Sequence, residues 1–258
     1  MSTRLRTATA VALAAAGSLA LLLGTSGPAA AVADGTPAAE GQYRFATKLT
    51  MTNIPRPDGT TYNSGCSASL IAPQWIITAG HCFHDVNRVP VSGPVPYDTV
   101  ATIGRTDDAD TNGHVVHVIE DYQAPAGDIS IAKLAEPVRD IRPLALSRTA
   151  PEIGEIVRIA GWGSLSDVNA KPATHLQTGE MKVTAVADTT VGVVGYAPKP
   201  TTSGCLYDSG APYFTTGRLP RLVSLDSNGP ACPHDQQETT ARVDPIVGWI
   251  HQTIREHR

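Results

Sequence analysis

Three short segments of the chain carry side chains whose types suit nucleophilic chemistry. A histidine stands in Ile76-Ile77-Thr78-Ala79-Gly80-His81-Cys82, and an aspartate in Gly127-Asp128-Ile129-Ser130-Ile131-Ala132-Lys133-Leu134. A serine stands in Gly204-Cys205-Leu206-Tyr207-Asp208-Ser209-Gly210-Ala211-Pro212. A serine hydroxyl is inert until a base within hydrogen-bond reach takes its proton, and an imidazole base needs an acceptor that fixes its tautomer. Singly these residues are ordinary: a histidine beside a cysteine is more often structural, and Asp-Ser-Gly is a common turn. Together, in the order His, Asp, Ser, they outline a nucleophile, its base and the group that orients the base.

Such a constellation needs a frame to hold it. The 258 residues are 41% hydrophobic and 17% charged, enough for one large domain or two small ones, which excludes disorder of the chain as a whole. From Tyr43 onward short β-type runs alternate with turn residues: 68–78 around Pro73, then 99–103, 115–119, 129–134, 156–160, 182–186 and 222–225. Strands at this density read as barrels or sandwiches rather than a parallel α/β sheet. The stretch from Pro137 to Pro151 holds three prolines near the middle and reads as the crossing between two β units. One helix closes the chain. Asp244 can cap it, Pro245 suits its first position, and Ile246, Ile250 and Ile254 recur at helical spacing, which predicts a helix packed on the second unit.

At the other end Arg4 and Arg6 precede an apolar run over 11–23, and Ala29-Ala30-Ala31 offers a small-residue cleavage site. This is the pattern of an export signal peptide over 1–31. The run is short for a membrane span, so a secreted, extracellular product is expected, with no membrane partner once the leader is gone. The net charge of −4 and the lack of any basic cluster along the sequence argue against a nucleic-acid partner. Export also makes the four cysteines candidates for two disulfides, with the sequence-local pairs Cys66 with Cys82 and Cys205 with Cys232 expected.

With these residues in place the sequence resembles the chymotrypsin-like (trypsin-fold) serine peptidases, of the secreted bacterial type. The motifs that carry the resemblance are Thr78-Ala79-Gly80-His81-Cys82, Asp128-Ile129-Ser130-Ile131, Gly161-Trp162-Gly163, the segment Cys205 to Pro212, and Thr240-Ala241-Arg242-Val243 with the terminal helix. The resemblance spans essentially all of the chain after the leader. It implies an all-β fold of two packed six-stranded antiparallel β-barrels with a C-terminal α-helix. The peptidase domain would cover 32–258, divided into an N-terminal barrel at 32–140 and a C-terminal barrel plus helix at 141–258. His81 would serve as general base and acid, Asp128 would orient it, and Ser209 would attack the peptide carbonyl. The backbone N–H groups of Tyr207 and Ser209 would form the oxyanion hole, and no metal or organic cofactor is needed. Both cysteine pairs match family disulfides. Val32 would supply a free α-ammonium that pairs with Asp208, created directly by signal-peptide removal with no separate propeptide. Ser224 would lie close to the triad aspartate.

The departures from the family pattern are equally specific. Tyr207 stands where the family has a glycine, so a positive φ there would strain it or turn the oxyanion donor away. Ala211 replaces a second glycine. Ser203 occupies the position that carries an aspartate in tryptic enzymes, so a strong Arg/Lys preference is not expected. Ser224, Leu225 and Asp226 are read as the substrate-binding strand, and Glu238 as the back of the specificity pocket, where it would attract lysine. Asp108 to Gly113 resembles the start of a calcium loop but lacks the acid at its twelfth position, which leaves an acidic hairpin turn as the reading. His114 and His117 are three apart on a strand and face opposite sides, unsuited to one metal. The expected function is a secreted serine endopeptidase acting on polypeptides as a monomer, with a protein inhibitor as a second class of partner. Its rival is a binding protein on the same fold whose oxyanion hole Tyr207 has spoiled.

Overall fold

The computed structural model describes residues 32–257; the expected signal peptide at 1–31 lies outside them. In chain order the first strands are β1 Thr36–Pro37, β2 Ala46–Pro55, β3 Thr61–Ala72, β4 Trp75–Thr78, β5 Gly93–Pro94, β6 Asp98–Ile103, β7 His114–Gln123 and β8 Ser130–Leu134. They are followed by β9 Ala145–Leu146, β10 Ile156–Gly161, β11 Gln177–Val186, β12 Thr190–Ala197, β13 Pro212–Thr215, β14 Arg221–Asn228 and β15 Glu238–Arg242, with helix α1 at Val247–Glu256.

Two closed barrels result. In the first, neighbouring strands run β7-β6-β2-β3-β4-β8, and β8 pairs back onto β7. The second runs β11-β10-β13-β14-β15-β12, and β12 closes onto β11. Closure leaves no unpaired sheet edge in either, the property that lets short strands form a stable unit. The alternation is visible in β6, where Thr99, Ala101 and Ile103 are fully buried while their neighbours are not. The two-residue β1 adds to β11, so the described residues start on the second barrel before entering the first. The proline-rich crossing contains β9, which lies parallel to β14.

The terminal helix differs from its sequence reading in two respects. Asp244 does not cap it. The carboxylate is held by Arg242 at 2.7 and 2.8 Å, and 244–246 form a short 3-10 turn ahead of α1. Nor does the helix pack on the second barrel alone. Ile246 and Ile250 join a core with Ile76, Ile131 and Leu134 of the first barrel, and the His257 ring lies 4.3 Å from that of Tyr122 on β7. An apolar stripe specifies that a helix is buried, not which surface buries it.

Residues 104–113 connect β6 to β7 as a hairpin, with Ile103 opposite His114. Its acids are engaged internally. Asp108 pairs with Lys48 at 2.6 Å and Asp107 with His175 at 3.0 Å, while Asp110 accepts the N–H groups of Thr106 and Asp107. His114 and His117 turn to separate carboxylates, Asp140 and Asp98.

Candidate active site

Each site residue sits at the end of a barrel strand, where the strand gives way to a loop. His81 follows β4 in a single 3-10 turn, Asp128 precedes β8, and Ser209 precedes β13. β4 and β8 are paired, Thr78 opposite Ser130, so the histidine and the aspartate emerge side by side. The His81 Nδ1 lies 2.7 Å from Asp128 Oδ2, and the His81 backbone N–H donates to Asp128 Oδ1 at 2.8 Å. Ser227 Oγ donates to the same Oδ2 at 2.7 Å. Burial pushes the Asp128 carboxyl up, but the hydrogen bond and charge of His81, with Ser227 added, outweigh it and hold the carboxyl below the ordinary value.

Ser227, not Ser224, therefore touches the aspartate. Ser224 is fully buried and accepts from Thr240 Oγ1 at 2.8 Å on the barrel side of β14. The pairing of β14 with β15 shifts register between Asp226 and Asn228, and this turns the end of the strand toward the cleft. Sequence reading missed Ser227. The signal available was its spacing of five residues from Cys232, since that disulfide anchors this end of the strand to the serine loop.

The loop that carries Ser209 is held from several sides. Ser67 on β3 donates its N–H to Ser209 O at 2.9 Å and its Oγ to Tyr207 O at 3.1 Å, and it accepts the Trp162 N–H at 2.9 Å. Sequence reading gave Ser67 no role. Gly210 has φ +83, and a Cβ there would overlap Thr78 Oγ1 and Ser67 O, so only glycine fits. Asp208 is fully buried and accepts N–H groups from Gly163 at 2.8 Å and Cys205 at 3.1 Å, together with the Val32 N–H. Burial pushes its carboxyl up to about 7; the three N–H groups act against that rise and the charge of Glu238 adds to it. A Cβ at Gly161 or Gly163 would overlap this carboxylate, which is the physical content of the Gly-Trp-Gly motif.

Tyr207 has φ +75, so the position does use the left-handed region and the tyrosine occupies it with strain. The Leu206 carbonyl accepts from Ser164 N at 2.6 Å. In a trans peptide the carbonyl and the following N–H point oppositely. The Tyr207 N–H is thus directed away from Ser164, and among the described residues neither it nor the Ser209 N–H has an internal acceptor. Ala211 is accommodated at full burial.

Two cavities meet at Ser209. One of about 250 Å³ is bounded by His81, Tyr207 and Ser209 together with Gly65, His84 and Arg88. The other, about 330 Å³, is bounded by Ser209, Gly204, Ser227, Gly229, Asp226 and Glu238, with Asp167 also on its wall. Leu206, 55% exposed, borders both. Of the residues assigned to the specificity pocket, Asp226 and Glu238 line this second cavity. Ser203, Ser224 and Leu225 are fully buried and do not bound it. The two disulfides are Cys66 with Cys82, beside the histidine, and Cys205 with Cys232, at this second cavity.

Behind the histidine turn Gln123 donates its amide to Gly80 O at 3.0 Å and to the buried carboxylate of Asp121 at 3.3 Å. Among the described residues Asp121 Oδ1 has no hydrogen-bond partner, and burial pushes the carboxyl up to about 7, with Gln123 and Ser130 working against it. The folded value lies above the unfolded one, so this carboxyl costs stability increasingly as pH rises from about 4 through 7. Asp121→Asn should accordingly raise Tm relative to wild type by roughly 5 °C at pH 8, with the gain vanishing near pH 4. Paired calorimetric melts at the two pH values check this; an equal gain at both would refute the burial account.

Two closed barrels with a histidine–aspartate pair and a serine at their junction are the architecture of a serine hydrolase. The family model described as Trypsin matches residues 32–250. A trypsin of Squalus acanthias is 29% identical over 203 residues, covering 73% of this chain and 85% of the relative. A serine protease of Anopheles gambiae is 26% identical over 244 residues, covering 88% and 83%. Among solved structures, neuropsin, a serine protease of mouse brain, superposes with a TM-score of 0.68 at 17% identity, over 86% of this chain and 99% of its own. The chain belongs to the trypsin family. It is a serine-type endopeptidase, and its substrates are polypeptides.

Proposed function

We propose that the protein is exported, cut after Ala31, and hydrolyses peptide bonds as a secreted monomer through an acyl-enzyme on Ser209. His81 takes the Ser209 proton as that oxygen attacks the peptide carbonyl, then returns it to the departing amine. Asp128 keeps the proton of His81 on Nδ1 and stabilises the imidazolium. The Tyr207 and Ser209 N–H groups receive the developing oxyanion, each donor worth roughly 3–4 kcal/mol of barrier. The observation that carries this reading is the 2.7 Å tie between His81 Nδ1 and Asp128, which leaves Nε2 for a proton from Ser209 across the cavity both residues bound. The Tyr207 N–H, turned away from Ser164 and without an internal acceptor among the described residues, supports it further.

A fluorophosphonate probe tests the reading on the protein expressed with its leader. Intact-mass analysis should find one adduct on a chain that begins at Val32, and none on Ser209→Ala. A folded chain beginning at Val32 that takes no label would overturn it.

A further inference from the structure

The second cavity beside Ser209 carries two buried carboxyl groups that the reaction just described does not use. They come from neighbouring strands, Asp226 from β14 and Glu238 from β15, and both bound the space that opens at Ser209. Between them stands the hydroxyl of Tyr213 on β13, 2.6 Å from Glu238 Oε2 and 3.4 Å from Asp226 Oδ1. The other Glu238 oxygen accepts the Gly204 N–H at 2.6 Å.

We infer that Asp226, Tyr213 and Glu238 form a proton-sharing relay that sets the charge of the subsite for the residue preceding the cut bond. The relay selects lysine or arginine there when Glu238 is ionised and an uncharged polar residue when it is not. This rests on the peptidase reading above and gives it a substrate class.

The argument is one of counting hydrogens. One tyrosine hydroxyl carries one proton, and the shorter distance directs it to Glu238. Asp226 then has a partner in Tyr213 only if it keeps its own proton and donates it to the phenol oxygen. The low-energy state is therefore neutral Asp226, donating to Tyr213, donating to anionic Glu238, with one negative charge shared by the cluster. The surroundings do not cancel that charge. His234 on the loop before β15 brings Nε2 to 3.4 Å from Glu238 Oε1, but burial pushes its pKa down and disfavours the imidazolium that would offset the charge. Asp208 on the serine loop and Asp128 before β8 add negative potential at Asp226, and Asp167 lies on the cavity wall. Among the described residues no lysine or arginine bounds the cavity. Burial raises Asp226 well above the ordinary carboxyl range and pushes Glu238 up to about 7. Below that value the pocket takes a proton from solvent and presents only neutral donors and acceptors. Above it, a cationic side chain finds an anion with no internal counter-charge.

The ratio of kcat/KM for two matched peptides, one with lysine and one with glutamine before the cut bond, reads this directly. Both peptides pass through the same chemical step, so any effect of pH on that step cancels in the ratio. Between pH 5.5 and 8.5 the lysine/glutamine ratio should rise about tenfold or more in wild type. Glu238→Gln should lower the ratio and flatten its pH dependence. Asp226→Asn, whose amide N–H can replace the neutral carboxyl as donor to Tyr213, should keep both the lysine preference and its pH dependence. A ratio flat with pH in wild type, or a Glu238→Gln protein that keeps both preference and slope, would overturn the proposal. A second measurement needs no turnover: p-aminobenzamidine fluorescence on Ser209→Ala should report about tenfold tighter binding at pH 8.5 than at pH 6. Amidine binding with that dependence in a protein that cleaves neither peptide leaves the relay standing and removes the peptidase reading. Cleavage of both peptides with a flat ratio does the reverse.

Discussion

His81→Ala should lower kcat on a peptide substrate by about 10⁶-fold while the protein stays folded. At 1.36 kcal/mol for each tenfold this is about 8 kcal/mol of barrier, the share expected of a base without which the serine proton has nowhere to go. The side chain is 46% exposed, so its removal opens no cavity and thermal melts should match wild type. Asp128→Asn should cost about 10⁴-fold, because an amide that donates toward Nδ1 selects the wrong imidazole tautomer. Ser224→Ala, which removes a hydroxyl hydrogen-bonded to Thr240 rather than to Asp128, should leave kcat nearly unchanged. Steady-state kinetics on one fluorogenic peptide separate these cases. Activity of His81→Ala within tenfold of wild type would remove the histidine from the mechanism.

The second large effect concerns Asp208. Its carboxyl is fully buried among N–H donors from Gly163, Cys205 and Val32, and the next residue is Ser209. Peptide N–H groups do not neutralise a buried carboxylate, and its upward shift records the cost. An ammonium at Val32 would supply a full counter-charge at the same place. Asp208→Asn should therefore lower kcat/KM about 10² to 10³-fold by loosening the Tyr207 and Ser209 N–H groups, the size of one lost oxyanion donor. A charged pair also predicts a sign. The ammonium is stabilised by its partner, so activity is retained below its folded pKa and lost as pH rises through it. Acetylating the α-amino group of the exported chain should reproduce the loss at every pH, and an acetylated chain with wild-type kcat/KM would show that Val32 contributes no charge to the loop.

The chain of residues from His81 to Ser209 determined much of this by itself. The order and local context of His81, Asp128 and Ser209 named the three groups, and the strand density from Tyr43 onward gave two β units, because alternation and turn chemistry are local properties of a sequence. The proximity of Cys66 to Cys82 and of Cys205 to Cys232 was legible for the same reason. What the tertiary structure decided lies where distant strands meet. Ser227 rather than Ser224 reaches Asp128 beside a register shift in β14, which the sequence marks only through the five-residue spacing of Ser227 from Cys232. Ser67 governs the serine loop from the other barrel, 140 residues before the carbonyl of Tyr207 that it holds. The sign of the Tyr207 peptide depends on Ser164 taking the Leu206 carbonyl. Asp226 and Glu238 are twelve positions apart on separate strands, and the pairing of β13, β14 and β15 sets them around one tyrosine hydroxyl. Residue type and order fix which groups are available, whereas distance, burial and the direction of each donor are properties of the packed barrels, and those set charge and reactivity.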